Sequence, residues 1–129
     1  MGQVMERIRE IGAKLHWVME EEKAYLDPQL NLQALAKKVG ISTSMLSHIL
    51  NVYFNTNFCD FVNRYRVRSV IEKLQDPYYN RFNIVILAYE SGFNSKASFH
   101  RIFKNFTGKT PTEYKKVLEE RLSLIEAAV

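Results

Sequence analysis

The sequence contains a single cysteine, Cys59, in 129 residues. One thiol excludes an internal disulfide framework and any zinc site built on paired cysteines, and it fits a reducing cytoplasm. No apolar run approaches the roughly 20 residues that a membrane-spanning helix needs, and the N-terminus lacks the apolar core of a signal peptide. There is no glycine-rich phosphate loop, no pair of carboxylates beside a histidine and no nucleophile motif, so an enzyme reading has little support. His16, His48 and His100 fall with Cys59 on four different expected elements, without HxxxH or CxxC spacing. That distribution argues against a metal site. No catalytic residue, metal ligand or cofactor is assigned.

Acidic residues are scarce in one part of the chain only. Lys plus Arg against Asp plus Glu stands at 4 to 6 for residues 1–30, 6 to 3 for 31–76, 5 to 1 for 77–111 and 3 to 4 for 112–129. The middle therefore carries +7 while the whole chain carries +4. A basic middle between faintly acidic ends points to a surface for a polyanion. What is abundant is core material: 47% of residues are apolar, with eight Phe and seven Tyr to build several small aromatic cores. The length suits one domain, or two very small ones that share a connecting helix.

The organising stretch is IVILAYESGFNSKASFHRIFKNFTGKTPTEY, Ile84 to Tyr114. A short amphipathic run, Ile84 to Glu90, breaks at Gly92, and a second run, Ser95 to Phe106, starts at once. Two short helices joined by a tight glycine turn are the sequence form of a helix-turn-helix. The second run places Phe99, Ile102, Phe103 and Phe106 on one face, at i, i+3, i+4 and i+7. Its other face carries Lys96, Ala97, His100, Arg101, Lys104 and Asn105, with no acid among them. A helix that is apolar behind and cationic in front can lie in a DNA groove.

Ahead of it, Val4 to Tyr25 reads as one long helix, with Val4, Ile8, Ile11, Leu15, Val18 and Met19 at spacings of three and four. Leu15 to Met19, including Trp17, is expected to pack on the following helices. Val4 to Ile11 has no evident local partner; a short coiled coil with another chain, an upstream connector helix and an amphipathic cap all fit it. Asp27-Pro28 breaks the helix. Leu30 to Phe54 then repeats the later organisation. Leu32, Leu35, Ala36 and Val39 form a stripe that Gly40 ends. Ser42 caps a helix with Met45, Leu46, Ile49, Leu50 and Tyr53 inside and Ser44, Ser47, His48 and Asn51 outside.

The two stretches align at an offset of 52 up to the turn and 53 beyond it. Gly40 meets Gly92, Leu46 meets Phe99, Leu50 meets Phe103 and Phe61 meets Tyr114. Asn55 meets Gly108, the two residue types that best tolerate a left-handed closing position. Thr110-Pro111-Thr112-Glu113 is a capping box with proline at the first helical position, and Asn57 with Asp60 is a weaker version. Between the copies, Phe58 to Gln75 has apolar residues at 58, 61, 62, 65, 67, 70, 71 and 74, which predicts a linker helix of about 27 Å. Such a strut suits two helices about one DNA turn apart, roughly 34 Å. Arg64, Arg66 and Arg68 lie along it, at least one of them an ordinary solvated charge. Tyr78 and Tyr79 are expected to pack beneath it, and Cys59 to sit partly buried at its start. A last helix runs from Thr112 to about Ala127. The expected divisions are an N-terminal helical extension (1–13), a first subdomain (14–57), the linker helix (58–75) and a second subdomain (76–129).

Gly92 to Lys115, GFNSKASFHRIFKNFTGKTPTEYK, resembles the signature of the AraC/XylS transcription regulators, and LQALAKKVGISTSMLSHIL resembles their first helix-turn-helix. The match covers about residues 14–118. The resemblance implies an all-α, seven-helix tandem helix-turn-helix fold, here with an N-terminal helical extension. Its partner would be double-stranded promoter DNA, with RNA polymerase as a further candidate. Family members usually carry a sensor or dimerisation domain before this one, so the resemblance implies a fragment of a larger protein or a short single-domain member. It also implies a cytoplasmic, nucleoid-associated location. Carried over position by position, base edges fall to Ser44, Ser47 and His48 in the first unit and to Lys96, Ala97, His100 and Arg101 in the second. Arg101 can pair bidentately with guanine O6 and N7, Lys96 can do likewise or bind phosphate, and Ala97 offers a methyl contact to thymine.

Ser42, Thr43, Asn94 and Ser95 lie at helix N-termini, where hydroxyls and free N–H groups suit phosphate, and Asn51, Lys104 and Asn105 lie further along the exposed faces. The first unit has no Arg or Gln for bidentate readout, so it is expected to be less selective or to read through water and DNA shape. His48 brings a pH-sensitive charge, since a phosphate neighbour favours its protonated form. A helical protein-interaction module is the rival class; it explains the cores but not why acids avoid both exposed faces. RNA fits worse, because the A-form major groove is too narrow for a helix and the sequence offers no exposed aromatic platform.

Overall fold

The computed structural model describes residues 1–128. Among them the chain forms seven α-helices, two short 3-10 turns and no strand, in two compact units, Met1–Tyr65 and a second that begins at Arg66.

The first unit holds α1 (Gly2–Glu20), a 3-10 turn (Ala24–Leu26), α2 (Leu32–Val39), α3 (Thr43–Val52) and the start of α4 (Phe58–Leu74). Local chemistry sets the ends. Asn31 Oδ1 accepts the Ala34 N–H at 2.8 Å to start α2, and Ser42 Oγ accepts the Met45 N–H at 3.1 Å to start α3. Between them Gly40 sits at φ +83° while the Ile41 N–H donates to the Ala36 carbonyl at 3.1 Å. That left-handed closure turns the chain within a few residues, and a side chain there would be strained. Leu15, Met19, Leu35, Leu46 and Leu50 are fully buried in one core with Val62 of α4.

Several details differ from the sequence reading. The first helix stops at Glu20 instead of reaching Tyr25, because Lys23 takes a left-handed φ of +53°. The run Glu20-Glu21-Glu22 puts negative charge at the negative end of the helix dipole and disfavours its continuation. Tyr25 instead lies in the 3-10 turn, its ring stacked 5.7 Å from Tyr65. Trp17 points outward at 53% exposure, as do Met45 and Tyr53 in large part. Conversely, Ile8 and Ile11 are buried within the unit. Ile8 faces Ile49 of α3 across a groove that leaves Val4 exposed, Ile11 joins the unit's core, and Gly12 lets the Phe54 ring approach. Cys59 is exposed.

The second unit holds the rest of α4, a 3-10 turn (Pro77–Tyr79), α5 (Ile84–Glu90), α6 (Lys96–Thr107) and α7 (Pro111–Ala128). Its core is aromatic: Phe93 lies 5.2 Å from Phe99, Phe99 5.7 Å from Phe103 and Phe103 5.4 Å from Tyr114 by ring centroid. The turn between α5 and α6 repeats the closing bond of the earlier one, with Gly92 at φ +101° and the Phe93 N–H donating to the Ala88 carbonyl at 3.1 Å. Ser95 caps α6 as Ser42 caps α3, its Oγ accepting the Ser98 N–H at 3.1 Å. Asn55 and Gly108 both adopt positive φ, +49° and +78°.

The two capping boxes also form. The Asp60 N–H donates to Asn57 Oδ1 at 2.8 Å while Asn57 Nδ2 donates to Asp60 Oδ2 at 3.2 Å. At α7 the Thr110 N–H donates to Glu113 Oε1 at 3.0 Å and the Glu113 N–H to Thr110 Oγ1 at 3.2 Å.

One buried polar group escaped sequence reasoning. Ser69 of α4 and Ser91 at the end of α5 sit 2.9 Å apart, oxygen to oxygen, both buried, and the Lys73 ammonium donates to Ser69 Oγ at 2.7 Å. The pair pins the end of α5 to α4 without leaving a buried polar atom unsatisfied. Tyr78 does not pack beneath α4; it is 60% exposed and meets Tyr79 and the Arg81 guanidinium in a surface cluster. Exposed aromatics therefore exist, and the case against RNA rests on groove width alone.

Candidate nucleic-acid interface

In each unit the second helix of the pair turns a narrow apolar stripe to the core and leaves the opposite side outward. In α3 the buried side chains are Leu46, Ile49 and Leu50, and the side opposite them carries Ser44, Ser47, His48 and Asn51. Ser47 is half-buried and the other three are exposed. In α6 the core takes Phe99 and Phe103, and the outward side carries Ala97, His100, Arg101 and Lys104, with Lys96 and Asn105 at its edges. All of these are exposed except His100, which is half-buried. The arrangement brings the residues expected at base edges onto one face within each unit, at matched positions of the repeat.

Their chemistry differs. The α3 face is neutral apart from His48, whose ring meets Tyr53 edge-on with centroids 6.2 Å apart. The α6 face is cationic, and Lys96, Arg101 and Lys104 are held in no ion pair among the described residues. Their charges are therefore available to an anion. His100 is constrained: its Nδ1 lies 2.9 Å from the Lys96 carbonyl. A carbonyl only accepts, so Nδ1 carries the proton and Nε2 is the outward atom, an acceptor when the ring is neutral.

The expected phosphate group divides similarly. Ser42 uses its oxygen to accept the Met45 N–H and keeps its hydroxyl proton to donate. Ser95 donates its own proton to Ser98 Oγ at 2.9 Å, so the free donors near it are backbone N–H groups. Thr43 and Lys96 are the first residues of α3 and α6, where unpaired N–H groups and the helix dipole favour anions. Asn94 is exposed just ahead of the Ser95 cap, and Asn51 and Asn105 are exposed further along. Glu113 is the acid that feels this face. Its carboxyl is held below the ordinary range mainly by the hydrogen bonds from the Thr110 N–H and hydroxyl, with weaker help from the charges of Lys104 and Lys109.

Among the described residues no group of three His, Cys, Asp or Glu side chains is placed to hold a metal, and no helix is long and apolar enough to cross a membrane. Sequence reasoning missed a groove beside the α3 face, lined from α1 by Val4, Arg7 and Ile8. The heptad-like spacing of Val4, Ile8 and Ile11 was the signal for a partner; its identity as α3 needed the fold.

A family model described as a helix-turn-helix domain matches residues 35–117. An uncharacterized HTH-type transcriptional regulator of Staphylococcus aureus (strain COL) is 34% identical over 102 residues, 79% of this chain and 13% of that protein. A solved protein of unknown function from Listeria innocua superposes with TM-score 0.67 at 30% identity, covering 83% of this chain and 95% of that one. A DNA-binding transcriptional dual regulator from Escherichia coli K-12 shares the fold, with TM-score 0.71 at 21% identity over 85% of this chain and 93% of that one. The chain belongs to the AraC-type helix-turn-helix family of transcriptional regulators. It spans about an eighth of the length of the Staphylococcus relatives that it matches.

Proposed function

We propose that this chain binds double-stranded DNA with sequence preference as part of a bacterial transcription regulator. In this reading α3 and α6 each enter a major groove, one helical turn apart along the duplex. The observation that carries it is the duplicated unit. Two helix-turn-helix pairs share turn, cap and core chemistry, and each leaves the outer face of its second helix free of acid. Phosphate contacts, from the N-termini of α3 and α6 and from Lys104, supply most of the affinity. Arg101 and Lys96 dominate base choice, while Ser44, Ser47 and His48 read more softly, through water and DNA shape. A DNA target places the protein in the cytoplasm at the nucleoid.

A protein contact beyond DNA is favoured by the end of α7, where Leu122, Leu124 and Ile125 are 54%, 71% and 62% exposed. RNA polymerase or a sensor domain of the same regulator are candidates for that contact. The experiment is a fluorescence-anisotropy titration of the chain with a mixed duplex pool across a salt series. Affinity that falls steeply with salt supports DNA binding; no binding at low salt favours the interaction-module reading.

A further inference from the structure

The first unit contains a groove of about 360 Å³ between α1 and α3, at the small end of the range that holds small-molecule ligands. Val4 and Ile8 form one wall, and Met45, Ile49 and Tyr53 the other. Folding leaves much of this apolar surface wet: Val4 is 56% exposed, Tyr53 42% and Met45 37%. Scattered exposed side chains are unremarkable, but these three line a single concavity. The groove's basic groups are Arg7 on the α1 side and His48 on the α3 side, and no carboxylate is among the residues that line it. Among the described residues Arg7 pairs with Glu10, at 3.7 Å in an exposed pair that contributes little and yields readily to a competing carboxylate.

We propose that this groove binds a small aromatic carboxylate, with the ring system between the two helices and the carboxylate between Arg7 and His48. A cationic ligand of the same shape meets the like charge of Arg7, and a neutral one forgoes the charge-assisted contact that a guanidinium makes with a carboxylate. Because His48 also belongs to the outward face of α3, occupancy draws it away from DNA. This coupling rests on the DNA-binding reading above; the binding itself does not. By linkage, whatever factor the ligand costs in DNA affinity, DNA costs in ligand affinity.

The test uses three probes of one shape: 2-naphthoate, 2-naphthamide and 2-naphthylmethylammonium, titrated into the DNA-free chain and followed by methyl and amide NMR. Saturable shifts confined to Val4, Ile8, Met45 and Ile49 are expected with naphthoate, with the amide at least about tenfold weaker and the ammonium weaker still. Arg7→Gln should erase the preference for naphthoate over the amide while leaving the rest of the spectrum in place. No saturable shifts at millimolar naphthoate, equal affinity for all three probes, or a preference that survives Arg7→Gln would each overturn the site. In a second arm, naphthoate should weaken duplex binding by the wild type and not by Arg7→Gln. Unchanged duplex affinity at a naphthoate concentration that NMR shows to be saturating would overturn the coupling. A chain that binds no duplex at all would overturn the functional reading and leave the NMR arm to decide the groove.

Discussion

Arg101 is the side chain on which base choice should turn most visibly. It is exposed on the outward face of α6, a turn above Ala97 and beside Lys104, and no acid holds it among the described residues. Removing it therefore leaves the Phe99–Phe103 core and the Ser95 cap untouched, and Arg101→Ala should melt within about 0.5 kcal/mol of the wild type. The binding cost is a different matter. A guanidinium paired with guanine O6 and N7 gives about 1–3 kcal/mol of discrimination, roughly five- to 150-fold in affinity. That loss should fall on duplexes with the preferred base pair and largely vanish on duplexes where that pair is already changed.

Arg101→Lys separates charge from geometry: it should retain affinity for non-preferred duplexes while losing most of the discrimination, since an ammonium cannot reproduce the planar fork. The assay is a competition titration of one preferred duplex against its single-base-pair variants at fixed salt. If Arg101→Ala weakens every duplex by the same factor, the residue is a phosphate contact and its assignment as a reader is wrong.

Other consequences are open to direct measurement. Lys104→Ala should weaken all duplexes alike and reduce the slope of log affinity against log salt by about one unit; a change confined to particular sequences would count against it. Phe99→Ala, at the centre of the second unit's aromatic core, should cost about 3–5 kcal/mol in denaturant unfolding. Gly108→Ala should destabilise by about 1–2 kcal/mol even though nothing crowds its Cβ, because φ is +78° there. Asn55→Gly should be neutral or mildly stabilising for the same reason.

Acid should weaken the start of α7. Glu113 has its carboxyl held below the ordinary range, so its capping contribution is complete above the unfolded-state value and fades as pH falls through the lower folded one. Glu113→Gln should flatten that part of the pH–stability profile; an unchanged profile would refute the linkage.

The repeat made much of this structure legible in advance. Gly40 and Gly92, Asn55 and Gly108, and the two capping boxes each have a backbone requirement that only a few residue types meet. Finding them twice at one spacing is informative even without coordinates. The periodicity of α6 was equally direct, since Phe99 and Phe103 could only be core. What stayed hidden depended on contacts distant in sequence. Val4, Ile8 and Ile11 announced an apolar stripe but not that Ile8 and Ile11 would be buried while Val4 stayed exposed in a groove facing α3. Trp17, Met45 and Tyr53 were assigned inward although each lies at the edge of its stripe, where tertiary packing decides, and Tyr78 was assigned beneath the linker helix although it belongs to a turn. Ser69 and Ser91, 22 residues apart, show no pattern that marks them as a buried pair. The outward residues of α3 and α6 were readable because they are what remains once the core is assigned.

The most direct test of the central claim is selection of binding sites from a random duplex pool with the purified chain, repeated at two salt concentrations. Two enriched sequence blocks about one helical turn apart, the sharper one losing its consensus in Arg101→Ala, are the predicted result. Salt-sensitive retention of DNA with no enriched block, or no retention at all, would contradict it.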